Sequence, residues 1–372
     1  MTSIILAGGG TAGHVNPLLA TALTLREMGL DVRAVGTADG LEKDLVPAAG
    51  FELFAIERVP FPRRPGRAAL TFPARFRRAI SQAEDVLDGV SVAVGFGGFA
   101  STPVYAAAKR RGIPVVIHEQ NAKPGLANRY GARFAHAVAL TFPSTPLRAR
   151  RGVTQTVGLP LRPAIATLAA QRAMQTGAGR TRAAQRLGLD PTRATLVVTG
   201  GSLGAQHLNE VVTAALDAIT AADIQVLHLT GRGKDGPVRQ AVADRSNYVV
   251  LDYLAEMEDA YAAADLVLCR SGAGTVAELG ALGLPAVFVP LAVGNGEQAR
   301  NASDLVAAGG AKLINDREFT VERFIHDVLA LVADKNRLDA MGAAARETSP
   351  LDGAGRLAQI IADVGEAYDG ER

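Results

Sequence analysis

What most limits how this chain can fold is a grammar it repeats: a short apolar run, a glycine-rich turn, then helical periodicity. SIILAGGG, DVRAVGT, SVAVGFGG, IPVVIHE and AVALTF read as strands of the first half. TLVVTGGS, IQVLHLTG, YVVLD, ADLVLCRSG and PAVFVP read as strands of the second. Patterns such as PLLATALTLREMG and AGTVAELGALG supply helices between them. Strands that alternate with helices predict parallel sheets joined by βαβ crossovers. Residues 3–14, SIILAGGGTAGH, share their grammar with residues 195–206, TLVVTGGSLGAQ. The offset is about half the chain, so the expected fold is α/β with two Rossmann-like domains in tandem. A length of 372 residues suits two cores better than one. Between the halves, the Ala-, Arg-, Thr- and Gly-rich stretch 162–193 reads as a linker. The tail SPLDGAGRLAQIIADVGEAY starts at a Pro/Gly break and ends as an amphipathic helix able to pack back on the first domain.

Composition narrows the function classes. The formal net charge of +2 gives no bulk attraction to nucleic acid. The single cysteine, Cys269, sits in the apolar run ADLVLC, where it reads as a buried small hydrophobe, and no Cys/His cluster points to zinc. MTSIILAGGG lacks a basic n-region and is expected to be a first strand, not a signal peptide. No stretch approaches the ~20 apolar residues of a spanning helix. The expectation is a protein made and kept in the cytoplasm.

The glycine turns carry the candidate chemistry. Gly8, Gly10 and Gly13 satisfy G-x-G-x-x-G, a pattern usually read as dinucleotide binding. That reading needs an acid at the end of the second strand, and DVRAVGT ends in Gly36 and Thr37, so NAD is disfavoured. What remains is a turn that exposes amides at a helix start, good for a diphosphate, or one that only permits close packing. His14 follows at the carboxyl end of the sheet, as a base, a phosphate ligand or a local backbone partner. GGSLGA repeats the logic with Ser202, a phosphate donor or an N-cap. RSGAGTVAELGALGLP, 270–285, opens a helix whose free amides suit a pyrophosphate, with Glu278 one turn inside to accept ribose hydroxyls or to favour the helix dipole. Gln298 follows PAVFVP and reads sugar hydroxyls or caps a helix. HEQN, 118–121, places Glu119 and Asn121 at a strand end. The chain has no D-x-D, so no metal site is expected, and helix dipoles, main-chain amides and Arg162 would stabilise a diphosphate leaving group.

GGGTAGHVNP, VGFGGFAS, IPVVIHEQN, GGSLGA and RSGAGTVAEL, in this order, resemble the MurG family over nearly the whole chain. These are GT-B glycosyltransferases that move GlcNAc from UDP-GlcNAc to lipid I, forming lipid II for peptidoglycan. The resemblance implies two Rossmann-like domains with parallel sheets facing a cleft: 1–162 with the helix 353–372 on the acceptor and membrane side, and 163–352 on the donor side. It carries donor contacts onto Thr11, Ala12, Gly13, Asn121, Arg162, Ser202 and Leu254. It also carries them onto Ala273, Gly274, Thr275, Val276, Ala277 and Glu278, and gives Gln298 the GlcNAc hydroxyls. Ala12 stands where many members have glycine, Leu159 replaces an asparagine before Pro160, and NGEQ replaces a D-x-x-Q segment. The implied chemistry is an inverting displacement without a cofactor, with His14 the first choice as base and Glu119 the second. Proteins of cell-wall synthesis are possible partners. A UDP-GlcNAc 2-epimerase of the same architecture, or a nucleotide-sugar-binding protein without turnover, are the competing readings.

Residues 58–83, RVPFPRRPGRAALTFPARFRRAISQA, hold seven arginines and no acid. Interleaved basic and apolar side chains suit an anionic membrane surface. The expected patch is Arg64, Arg67, Leu70, Phe72, Arg75, Phe76, Arg77, Arg78 and Ile80, with Leu70, Phe76 and Ile80 on one side, which places the protein peripherally at the cytoplasmic face of the membrane.

Overall fold

The computed structural model describes residues 2–371 other than 63, 65, 175–177, 202, 203, 244 and 292–295. They form two compact units: residues 1–163 with 352–372, and residues 164–351.

The first unit holds β1 (Ser3–Ala7), β2 (Asp31–Thr37), β3 (Leu53–Ile56), β4 (Val92–Gly95), β5 (Val115–Glu119), β6 (Ala137–Leu140) and β7 (Val153–Thr156), in sheet order β3-β2-β1-β4-β5-β6-β7. The second holds β8 (Thr195–Thr199), β9 (Gln225–Leu229), β10 (Tyr248–Leu251), β11 (Leu266–Cys269), β12 (Ala286–Phe288) and β13 (Ala311–Leu313), in order β10-β9-β8-β11-β12-β13. All pairings are parallel; Ala7, for example, lies opposite Val35 on one side and Gly95 on the other. The central strands are buried along their whole length, as SIILA is, because helices cover both sheet faces. In both units the order reverses beside the first strand. That switch point, at the strands' carboxyl ends, is where open α/β sheets take ligands.

Local signals end the helices where the sequence changes. The helix Ser101–Arg111 collects Lys109, Arg110 and Arg111 in its last turn, where cations meet the negative end of the dipole. It stops at Gly112, whose φ of 71° lets Ile113 N–H reach back to Ala108 O. The C-terminal helix Gly353–Gly370 packs within the first unit, burying Leu357, Ala358 and Ile361. Ser91 and Thr2 hydroxyls both donate to Asp369, at 3.0 and 2.9 Å.

The stretch read as a linker is instead structured. It forms the helices Pro163–Ala173 and Ala178–Leu187, and arginines fasten them to the second unit. Arg172 donates to Leu282 O and Tyr261 O, Arg180 clasps Asp265 through two 2.8 Å bonds, and Arg186 pairs with Asp259. An Arg/Ala-rich segment without strand character looks like a tether in sequence because its partners lie 70 or more residues away.

Candidate functional site

In the first unit the chain leaves β1 at Ala7, turns through Gly8–Thr11 and starts a helix at Ala12, with Thr11 extended as its N-cap. Helical side chains lean toward the N-terminus, so His14 folds back over the turn. Its Nδ1 lies 3.1 Å from Gly9 O and 3.1 Å from Thr11 Oγ1. A carbonyl can only accept, so the bond to Gly9 assigns the proton to Nδ1 and leaves Nε2 with its lone pair. The turn after β4 covers the ring: a Cβ on Gly97 would lie 3.1 Å from Nε2, and Gly97 and Gly98 have φ of 93° and 83°. Burial pushes the His14 pKa below its ordinary 6.5, against the opposing pull of the Gly9 bond and the Glu42 charge. The imidazole is therefore neutral at pH 7, the state a base requires. Thr11 and Ala12 are exposed, and Gly13 is half-buried against Gln120.

Glu119, at the end of β5, has a different role. It is 2% exposed. Oε1 accepts from Asn121 N–H at 3.0 Å, and Oε2 from Gly125 N–H at 2.9 Å and Asn128 Nδ2 at 3.0 Å. Asn128 in turn accepts from the buried Tyr105 hydroxyl at 2.7 Å. Burial raises the Glu119 pKa against these donors. With both oxygens accepting from the turn, Glu119, the second choice as base, also shapes the loop that presents Asn121. Asn121 is half-buried and its carbonyl accepts from Thr145 Oγ1. Arg162 is half-buried at the end of the same unit.

In the second unit the site lies after β11. Gly272, extended, is the N-cap of the helix Ala273–Leu282; no side chain caps it and its first turn holds no acid. The ladder begins with Val276 N–H to Gly272 O at 3.0 Å, so the N–H groups of Ala273, Gly274 and Thr275 lie outside it at the positive end of the dipole. Val276 and Ala277 are buried and seat the helix on the sheet; any ligand meets their main chain. Glu278, one turn in and half-buried, accepts from Tyr261 Oη at 3.3 Å. Leu254 is half-buried after β10. Gln298 Oε1 accepts from Leu291 N–H at 2.9 Å, which ties its helix start to the strand end before it. Ser202 lies outside the described residues.

Two residues unremarked in the sequence organise these loops. Glu42 binds the first glycine turn through Gly10 N–H. Arg270 donates to Val289 O and Pro290 O and pairs with Asp316, fixing the ends of β11 and β12 together. The acid at the end of β2 that a dinucleotide site would need is absent, and Glu42, five residues beyond Thr37, turns back to the glycine turn itself.

The basic apolar stretch forms the helix Arg67–Asp85. Phe61 meets Phe72 edge-on and Phe72 stacks on Phe76, each pair with ring centroids 5.4 Å apart. Leu70 is 82% exposed, and Arg64, Arg67, Arg77 and Arg78 are exposed. Two members of the expected patch are corrected. Ile80 is 4% exposed and belongs to the core, because it faces the sheet. Arg75 is spent on Glu57 at 2.6 Å and Arg58 O at 2.8 Å, since Glu57 sits just before the acid-free run, and the more exposed Arg78 lies 3.6 Å from the other oxygen of that carboxylate. Beside this face runs a groove of ≈ 570 Å³ lined by Phe72, Phe76, Arg77, Lys109, Arg110 and Tyr130, which adds two cations from a neighbouring helix. Among the described residues no helix is long and apolar enough to cross a membrane, and no His/Cys/Asp/Glu group could hold a metal ion.

Residues 4–140 match the glycosyltransferase family 28 N-terminal domain, and 195–357 the C-terminal domain of that family. A UDP-N-acetylglucosamine–N-acetylmuramyl-(pentapeptide) pyrophosphoryl-undecaprenol N-acetylglucosamine transferase of a Nocardioides species is 51% identical over 97% of this chain and 98% of its own. One from Bifidobacterium adolescentis is 49% identical over 96% of each chain. The crystal structure of MurG from Acinetobacter baumannii superposes with a TM-score of 0.78 at 28% identity, covering 98% of this chain and all of that one. A UDP-GlcNAc 2-epimerase from Neisseria meningitidis shares the fold at 14% identity, with a TM-score of 0.66 over 98% of this chain and 99% of its own.

Proposed function

This chain belongs to the MurG family of glycosyltransferases, and from that premise we propose how its residues carry the reaction. The enzyme moves N-acetylglucosamine from UDP-N-acetylglucosamine to the N-acetylmuramyl unit of undecaprenyl-diphosphate-linked pentapeptide, lipid I, forming lipid II. The observation that carries the donor assignment is the uncapped, acid-free helix start at Ala273–Thr275. Its three amides receive the pyrophosphate, and Glu278, oriented by Tyr261, accepts from the ribose hydroxyls. Leu254 flanks the uracil. Gln298 reads the sugar hydroxyls through its amide; Asn121, Ser202, Arg162 and Thr11, Ala12 and Gly13 are the further donor contacts that the family resemblance assigns.

On the acceptor side, His14 Nε2 takes the proton of the 4-hydroxyl as that oxygen attacks C1 of the sugar. The C1–O bond to UDP breaks, the anomeric centre inverts, and the charge gathering on the diphosphate is stabilised by the amides and Arg162. The exposed face of the helix Arg67–Asp85, carrying Leu70 and Arg77, docks on an anionic leaflet and brings the polyprenyl-linked acceptor within reach.

The reaction is tested by following UDP release with and without a lipid-linked N-acetylmuramyl acceptor. UDP should appear only with the acceptor and in step with a product longer by one GlcNAc. UDP or an epimerised sugar released without it would make the chain an epimerase of the shared fold.

A further inference from the structure

The charge nearest the proposed base comes from a residue that never touches it. Glu42 opens the helix Glu42–Ala48 just after β2 and is wholly buried. Its Oε1 accepts from Thr37 N–H at 2.8 Å and Thr37 Oγ1 at 2.7 Å. Its Oε2 accepts from Gly10 N–H at 2.8 Å. Three glycines make room for it: a Cβ at Gly9, Gly36 or Gly40 would clash with the Glu42 side chain. The chain therefore shapes its first turn, its second strand and the turn after that strand around one carboxylate.

Gly10 N–H and Gly9 C=O belong to the same peptide group, which is planar and rigid. In a trans peptide the N–H and C=O point in opposite directions. Holding the N–H on Glu42 thus aims the carbonyl at the other partner in reach, His14 Nδ1, 3.1 Å away. The geometry points to Glu42 as a positioning residue of His14: through the Gly9–Gly10 peptide it fixes the ring so that Nδ1 bears the proton and Nε2 faces the acceptor hydroxyl. This rests on the reading of His14 as base. The arrangement has the logic of a carboxylate–histidine pair with a peptide interposed, and the hydrogen bonds in series polarise one another. Burial alone would raise the Glu42 pKa, but the donors from Gly10, its own backbone and Thr37 outweigh it, so the carboxyl stays ionised at neutral pH. The turn after β4 packs Gly97 and Gly98 on the imidazole, neither of them charged, and among the described residues the charge that acts on it is that of Glu42.

Glu42→Gln tests the relay. Glutamine keeps the shape but offers one acceptor oxygen, so its amide must confront either Gly10 N–H or Thr37 N–H. The expected result is a loss of roughly 10–100-fold in kcat with an unchanged KM for UDP-N-acetylglucosamine, as when a group orienting a functional histidine is removed. The acid limb of log kcat against pH should move to lower pH, because an anion that favoured the imidazolium is gone. In a His14→Ala background Glu42→Gln should cost nothing further. The same fold loss in both backgrounds, or an unmoved acid limb, would overturn the relay and leave Glu42 a scaffold. If His14→Ala itself keeps turnover within a few-fold, the base reading fails, separately from the relay. Should Glu42→Gln not fold, ¹⁵N spectra of the histidines in the unaltered protein decide the point. The His14 signal, identified by its loss in His14→Ala, should show the Nδ1–H tautomer, and an Nε2–H tautomer would rule the relay out.

Discussion

The two units share a strand order, β3-β2-β1-β4 in one and β10-β9-β8-β11 in the other, yet they equip the same switch point differently. The first puts an imidazole in the turn after its first strand. The second leaves three bare amides after its fourth. Two histidines make the contrast sharper. His228, within β9, spends both nitrogens, Nδ1 on Tyr248 Oη at 2.7 Å and Nε2 on Asn209 at 3.0 Å, and burial drives its pKa down to about 3. Asn209 passes the network on to Thr230 O, so His228 braces the end of its own strand. His14 spends only Nδ1; Nε2 has no hydrogen-bond partner among the described residues. The two units share a topology at this point, and among the described residues they differ in the ring nitrogen that the first leaves without a partner.

The largest effect that would break this comparison is at His14. His14→Ala is expected to lower kcat by about 10²–10⁴-fold, the range of a general base, with UDP affinity changed less than about twofold. For the unaltered enzyme, kcat/KM should fall as pH drops through the His14 pKa. Because burial lowers that pKa, the limb should lie below 6.5. A limb above 6.5, or turnover within a few-fold of the parent, would remove His14 from the chemistry.

Next in size is the donor side. Glu278→Ala is expected to weaken UDP binding by roughly 1.5–3 kcal/mol, the worth of a charged hydrogen-bond acceptor, as read by titration calorimetry. The same substitution should leave the acid limb of the pH profile in place, since the titrating group is on the first unit. Unchanged affinity would mean that the helix start after β11 does not take the ribose.

What the sequence disclosed depended on where a strand sits in its sheet. The central strands, such as SIILA and LVLC, are continuous apolar runs because both faces are covered, and they were legible at once. β3, β7 and β13 were not, and all three are edge strands; the fourth edge strand, β10, was legible because YVVL is a continuous apolar run. VTQT alternates between exposed and half-buried residues, and AKL is three residues long, so neither leaves a run to read. At the site, glycine turns and helix starts were visible because their residue types are local. Glu42 and the loop-holding role of Glu119 were not, since each is defined by backbone donors that only the fold brings to it. The pairing of Arg75 was hidden for the same reason: Glu57 lies 18 residues back in sequence.

The smallest effect sharpens a third contrast, between the helices that follow the third strand of each unit. In the second unit this is Met257–Ala263, with Ala260, Tyr261, Ala262 and Ala263 buried and Arg186 of the helix Ala178–Leu187 paired to its Asp259. In the first it is Arg67–Asp85, whose outer face keeps Leu70 and exposed arginines. If that face meets an anionic leaflet, each free arginine should contribute on the order of 1 kcal/mol, and an arginine already held by a carboxylate should contribute less. Arg77→Gln should therefore weaken co-sedimentation with phosphatidylglycerol-containing vesicles by about fivefold at low salt. Arg75→Gln, which leaves Glu57 to Arg78 alone, should weaken it less, and Leu70→Ser should weaken it without altering its salt dependence. Raising the ionic strength should erase the difference between Arg77→Gln and the parent, because exposed charges are screened within about 10 Å at 0.1 M salt. Equal losses for Arg75→Gln and Arg77→Gln would show that the Glu57 pair does not set which arginines reach lipid. No loss for Arg77→Gln or Leu70→Ser would move the membrane contact to another face of the protein.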